Sequence, residues 1–472
     1  MKILKSLRWL LVFVATQSVL HAKSQQSIKV SVEEAVDYAL KHTIELKNLQ
    51  LDYENAVNRN REITGGALPQ VNGSVQLSRL FAIPVTPLPD FITPQVYGVL
   101  EKEKVRNSGT NQLITVPNEP PSIIPAQFGV PWNAQAGFTV QQLLFQPDVF
   151  VGLQARDAAL EYAKNNIAVS EDKLRETVMN SYYLILVTEK QLTLVNDGIR
   201  RIEKLQNDIE QLYKNGFTEK IDIDRTRVAL NNLRSTKAQL ENTAQIGYAL
   251  LKFNMGLSQK DTLVLTDQLN PEQINLDLQD EASFNYENRS EIKLLQTAQK
   301  LQQLDVKRNK LANAPTIAMF WNYNRQALRQ EFDFFKSGSA YPWFPASIAG
   351  LNMQVPIFGG LQRHYRTKQA NVRLQQLNNT INLTKQGIDL QLAQSKINFK
   401  NAMLDLEAQR KNMELAKQVY ELSKKKYEQG VGSSFEVLDA ENAIQTAESN
   451  YFRSLYNVAI AQIAYKRALG TL

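Results

Sequence analysis

Apolar positions recur along this chain with two periods. Val32, Ala35, Val36, Ala39 and Leu40, then Leu46, Leu49, Tyr53, Ala56 and Val57, keep helical spacing, so residues 32 to about 65 read as one helix. Ser31 with Glu34 three residues on suits a capping box, and Gly65-Gly66 suits the stop. After Pro69 the period falls to two. Val71, Gly73, Val75 and Leu77 share one face and Gln70, Asn72, Ser74, Gln76 and Ser78 the other, which predicts a strand with one apolar and one polar side. Residues 81–131 hold nine of the sixteen prolines and read as an extended loop without a long helix. Alternation returns over 132–144 with Trp132, Ala134, Ala136, Phe138, Val140 and Leu144 on one side. Phe145-Gln146-Pro147-Asp148 then opens a helical pattern that reaches about Lys214. At 1.5 Å per residue that helix approaches roughly 100 Å. A further helix is predicted from Ile221 to about Phe253, ending at Met255-Gly256-Leu257.

The same order then starts again. Asn288-Arg289-Ser290-Glu291-Ile292 opens a helix, with Glu291 lying 246 residues after Glu45 and Pro315 the same distance after Pro69. Ile317, Met319, Trp321 and Tyr323 alternate as a third strand. An aromatic loop (Phe332, Phe334, Phe335, Tyr341, Trp343, Phe344) leads to a fourth, with Ala349, Leu351, Met353, Val355 and Ile357. Phe358-Gly359-Gly360 parallels Phe145-Gln146-Pro147 and starts a second long helix, to Tyr427. Its seam, Leu377, Ile381, Ile388, Leu392, Phe399, Met403, Leu406, Met413, Tyr420 and Tyr427, has a mean spacing slightly above 3.5 residues, which favours long antiparallel helix pairs. Ala440, Ala443, Ala447, Ala459, Ala461, Ala464 and Ala468 then make a small-residue helix able to lie close to a neighbour. One such hairpin cannot bury both its faces, so association with further copies is expected.

The two helical hairpins turn on related stretches, YKNGFTEKIDIDR at 213–225 and YEQGVGSSFEVLD at 427–439. At an offset of 214, Tyr213 answers to Tyr427, Gly216 to Gly430 and Asp222 to Glu436. The offset falls from 246 to 214 across the loop, so the first copy carries 32 extra residues there. The chain therefore divides into a first repeat at 25–256, a connector at 257–280 and a second repeat at 281–472, behind a signal peptide at 1–24. For that signal, Lys2, Lys5 and Arg8 precede an apolar core over 9–20, with cleavage at Ala22 or Ser24.

Composition narrows the chemistry. There are no cysteines among the 472 residues, which excludes disulfides, thiolate metal sites and a lipidated N-terminal cysteine. His21, His42 and His364 stand apart, so no His-based metal or catalytic cluster is expected within one chain. The formal charge of +7 is spread over helices that also carry many acids, which reads as solvated surface and not a nucleic-acid site. No nucleophile-base pair or phosphate loop stands out, and Gly430-Val431-Gly432 lies between helices, so an enzyme and a cofactor are not expected. No stretch after the signal is long enough to span a membrane as a helix; a membrane would have to be crossed by strands.

Each half reads helix, strand, strand, long helix, turn, helix. Four strands of about ten to twelve residues have the length that crosses an outer membrane when tilted. Four strands cannot close a barrel, and lipid does not tolerate open edges, so three chains supplying twelve strands are expected. The other reading of the same pattern is a periplasmic structural or adhesive coiled-coil protein without a conduit.

The strand exits at 140–147 and 353–360, the turns around Gly216 and Gly430, and the closing run Arg467-Ala468-Leu469-Gly470-Thr471-Leu472 resemble the TolC-like outer-membrane efflux proteins, over nearly all of the mature sequence. The resemblance implies a mixed fold, a transmembrane β-barrel plus a long α-helical barrel, closed as a homotrimer. It implies a duct from a periplasmic adaptor (membrane fusion protein) and an inner-membrane transporter to the exterior, seated in outer-membrane lipid. Gly216, Phe217, Gly430, Val431 and Gly432 would then form the tip turns where the adaptor docks. Tyr427 matches the family's gating tyrosine and Asp222 its carboxylate partner, while Glu436 and Asp439 match the acids ringing the constriction. Spacing agrees, since residues three apart share a helix face and six carboxylates around one axis would attract cations. Ser433, Ser434 and Glu436 equally suit a helix N-terminus. The family's best-studied pattern has an arginine where Gly432 stands, which leaves the charged part of the latch without that residue; Lys214 or Lys220 could supply a substitute. The chain also reads as lacking a longer C-terminal tail, with 257–280 supplying most of an equatorial belt.

Overall fold

The structure, a computed structural model, describes residues 27–116, 123–269 and 284–472. The expected signal segment 1–24 and residues 270–280 of the connector lie outside the described residues. The chain begins with β1 (Ser27–Val30), α1 (Val32–His42) and α2 (Ile44–Gly66). β2 (Gln70–Arg79), β3 (Val85–Pro89), α3 (Ile92–Lys102), β4 (Ile123–Gln127) and β5 (Trp132–Phe145) follow. Two long helices come next, α4 (Pro147–Lys214) and α5 (Lys220–Met255), and then β6 (Thr262–Leu265). The second half holds α6 (Ser290–Leu311), β7 (Thr316–Arg329), β8 (Phe344–Gln354), α7 (Gln362–Glu428) and α8 (Ser434–Leu469). The chain packs as two units, each drawing on both repeats: Asn60–Gln154 with Lys307–Thr367, and the remainder.

The first helix differs from the expectation of one piece. Ser31 and Glu34 make the predicted capping box, but the helix breaks at Thr43, whose φ −62 and ψ 131 are extended. Thr43 Oγ1 donates to Ala39 O at 2.7 Å and its position also meets Asn254 O at 2.9 Å. The end of α5 presses in here, since a Cβ on Gly256 would lie 2.8 Å from His42 O. Tertiary packing overrides a helical pattern that runs through. The same region holds a two-stranded parallel sheet, β1 with β6, which four-residue strands gave no periodicity to reveal. Tyr182 donates its hydroxyl to Val30 O at 2.9 Å, and Asp267 Oδ2 accepts from Val32 N at 2.7 Å, fixing the start of α1.

In the helical unit α7 buries the predicted seam. All ten seam residues from Leu377 to Tyr427 are buried or half-buried. Phe399 stacks on Tyr465 of α8 at 6.1 Å, within a cluster that includes Val458 and Leu469. A second stripe on α7 stays open: Leu383 at 69%, Leu390 at 58%, Ile397 at 58% and Leu404 at 59% exposed, each seven residues from the last.

The other unit is a four-stranded antiparallel sheet in the order β2-β5-β7-β8. Its register aligns the apolar positions: Val71 faces Val140, which faces Trp321, which faces Ala349. One face therefore carries Val75, Phe138, Met319 and Leu351, and the other Gln76, Thr139, Asn322 and Asn352. A bulge at Leu143/Phe145 ends β5, and β8 stops before Pro356, so Val355 and Ile357, predicted to belong to the fourth strand, lie beyond its end. The proline-rich stretch is more ordered than an extended loop. β3 pairs with β4, and α3 forms because Asp90 Oδ1 accepts from Ile92 N and Thr93 N, with Pro94 in the first turn where its missing N–H costs nothing. Residues 117–122 lie outside the described residues.

Candidate functional site

The two hairpin turns are built alike. Gly216 and Gly430 have φ of +78° and +75°, the left-handed conformation that a side chain would strain. Phe217 N donates to Leu212 O at 2.9 Å, and Val431 N to Lys426 O at 3.0 Å, the same bond 214 residues on. Each turn thus closes its long helix and presents one apolar side chain, Phe217 at 80% and Val431 at 75% exposed. Gly432 is held for a different reason. A Cβ there would lie 2.9 Å from Lys426 Cβ and 3.0 Å from Tyr427 N, so no side chain fits without moving the turn.

Ser433 caps α8, its Oγ accepting from Glu436 N at 3.2 Å. That cap uses only the backbone of Glu436. Its carboxylate and that of Asp439 are exposed, flank the buried Val437, Leu438 and Ala440, and take no partner among the described residues. Cap and outward acid pair therefore coexist at one helix start.

Tyr427 sits against the core formed by Ile202, Leu205, Ile223, Tyr420 and Val437. Its hydroxyl is buried and has no hydrogen-bond partner among the described residues. Burial raises its pKa, and Asp208 and Asp222 raise it further. Asp222 is thus within electrostatic reach of Tyr427 but is engaged in its own turn: Thr218 Oγ1 donates to its Oδ2 at 2.6 Å, and Arg225 lies 3.7 Å from Oδ1. The structure brings the predicted pair together without joining them. Lys214 and Lys220 are exposed and form no ion pair among the described residues.

Two links that sequence reasoning missed join the hairpins. Arg225 of α5 lies over the Phe435 ring of α8 at 5.3 Å. Deeper in, Arg201 of α4 donates Nε to Glu441 Oε1 and Oε2 at 2.9 and 2.7 Å. Glu441 is only 1% exposed. Tyr420 of α7 offers its ring to Arg201 at 5.6 Å, and Gly198 admits Gln445 so closely that a Cβ would lie 2.6 Å from its Nε2. Two helical turns beyond Glu441, Glu448 is held above the usual carboxylate range by burial, with Glu441 and Asp197 adding to it and Arg201 and Lys417 opposing. Arg201, Tyr420, Tyr427, Glu441 and Glu448 line one cleft of about 370 Å³. The signal was present: Glu441 and Glu448 interrupt the apolar series Val437, Ala440, Ile444, Tyr451 on the buried side of α8.

No group of three or more metal-ligating side chains occurs among the described residues. The arrangement offers an exposed carboxylate pair, a buried ion pair and two exposed apolar tips.

Residues 286–471 match the family described as outer membrane efflux protein. The chain is 20% identical over 342 residues to the outer membrane protein TolC of Vibrio cholerae, covering 71% of this chain and 76% of that protein. Its fold is that of the outer membrane protein VceC of Vibrio cholerae (TM-score 0.69, 14% identity, 93% of this chain and 96% of that one). It is likewise that of the Campylobacter jejuni CmeC outer membrane channel (TM-score 0.72, 13% identity, 93% and 85%).

Proposed function

We propose that this chain, a TolC-like outer membrane efflux protein, is the homotrimeric exit duct of a tripartite pump, gated at its hairpin turns. In this reading it receives substrate from an inner-membrane transporter through a periplasmic adaptor and has no chemistry of its own. The observation that carries it is the open four-stranded sheet, apolar on one face, with β2 and β8 at unpaired edges. An apolar face turned to lipid with exposed backbone at both edges demands closure, and three copies give twelve strands. The open leucine stripe on α7 supports the same closure, since each residue buried there by a neighbour contributes about 1 kcal/mol. The consecutive repeats 25–256 and 281–472, the connector 257–280 and a removed signal 1–24 belong to this reading.

Glu436 and Asp439 serve as the constriction acids and Tyr427 with Asp222 as the latch. Phe217 and Val431 are the apolar tips offered to the adaptor. The test is crosslinking from the turns in cells, followed by identification of the partners. Recovery of a periplasmic adaptor with its transporter is expected; capture of neither would reject the assignment.

A further inference from the structure

The four sheet strands contain only three charged residues, and all three are arginines: Arg79, Arg325 and Arg329. The polar face has none. Register puts all three on the apolar face, because Arg79 pairs with Trp132, Trp132 with Arg329, and Arg325 with Ala136. They lie toward one end of the sheet, the end that leads into the aromatic loop. Rings crowd there: Trp132 meets Phe332 at 5.1 Å, and Phe334 meets Trp343 at 6.2 Å. An apolar face bounded by such a girdle has the character of a membrane-water boundary.

The three arginines are not equivalent. Arg329 is buried, donates to Leu328 O and Pro342 O, and has Asp333 at 3.2 Å. Arg79 is exposed and lies over the rings of Phe81 and Trp132, at 5.1 and 5.3 Å, without a carboxylate among the described residues. Arg325 is exposed and donates Nε to the Tyr323 hydroxyl at 3.2 Å, again without a carboxylate among them. A guanidinium on a lipid-facing surface needs a counter-charge from its surroundings, and its fork matches phosphate oxygens.

We propose that Arg79 and Arg325, braced by Trp132 and Tyr323, hold the phosphate groups of an outer-leaflet membrane lipid. The inference rests on the outer-membrane placement and adds a ligand class to it. The aromatic rings lie against the lipid's apolar part and orient the guanidinium groups, while Arg329 serves the protein's own loop. The lipid thereby caps the sheet's apolar face at its boundary.

The test reconstitutes wild-type protein and Arg79→Gln/Arg325→Gln in phosphatidylcholine nanodiscs doped with bis-phosphorylated lipid A or with its dephosphorylated form. Lipid retained after detergent extraction is counted by native mass spectrometry. Wild type should retain the phosphorylated form in preference to the dephosphorylated one, and the double variant should lose roughly tenfold of that retention. Arg79→Lys/Arg325→Lys should recover only part of it, since an ammonium keeps the charge without the fork. Equal retention by wild type and the glutamine variant, with matching circular dichroism, would overturn the proposal. Complete displacement of lipid by excess inorganic phosphate would overturn it in favour of a free-anion site. Failure of wild type to enter discs would overturn the membrane reading, and the proposal with it.

Discussion

Removing the Glu441 carboxylate should loosen the junction of α4 with α8. Glu441 is 1% exposed and Arg201 reaches it through Nε and Nη2, the latter at 2.7 Å from Oε1. Breaking one partner of a fully buried pair costs about 3–5 kcal/mol, because the other charge is left uncompensated. The Arg201 side chain retains 28% of its exposure, so water recovers part of that and the expected cost of Glu441→Ala is about 2–3 kcal/mol. At 1.36 kcal/mol per decade, amide exchange across 198–209 and 437–448 should accelerate roughly 30- to 150-fold. Replacing both partners by apolar residues, Arg201→Met with Glu441→Leu, should restore protection to within about 1 kcal/mol of wild type. Hydrogen exchange followed by mass spectrometry resolves these segments. Acceleration below about threefold for Glu441→Ala would refute the clamp.

Glu436→Ala with Asp439→Ala should weaken block of single-channel current by divalent cations; unchanged block would reject the acid ring. Tyr427→Phe with Asp222→Ala should raise resting conductance, and a wild-type level would remove both from the latch. Glu448 is raised in the folded state, so the native protein holds this proton more tightly than the unfolded chain does, and stability falls as pH rises from the ordinary glutamate value through the folded one. Glu448→Gln should therefore raise Tm at neutral pH, with the gain vanishing below the ordinary glutamate pKa; a pH-independent difference would count against burial as the cause.

The long elements were legible because their periods persist over many residues. Pro147–Lys214 and the seam of α7 follow from helical spacing, and the two faces of the sheet from strict alternation. The glycines at 216 and 430 carry the turns in their residue type alone. What escaped depended on partners distant in sequence. The β1–β6 pair joins strands more than two hundred residues apart, and the break at Thr43 is imposed by the end of α5. The Arg201–Glu441 pair spans 240 residues, and without a neighbouring helix an acid on an apolar series reads as an irregularity. Resemblance alone pairs Asp222 with Tyr427, and it carries no sign that Thr218, four residues before Asp222, donates to its Oδ2.

The central claim is that several copies of this chain close a conducting duct. Single-channel current in a planar bilayer, recorded from the detergent-extracted species of defined mass, tests it most directly. The account predicts discrete, long-lived conductance steps from a species of three chains. A single-chain species that leaves the bilayer insulating would contradict it.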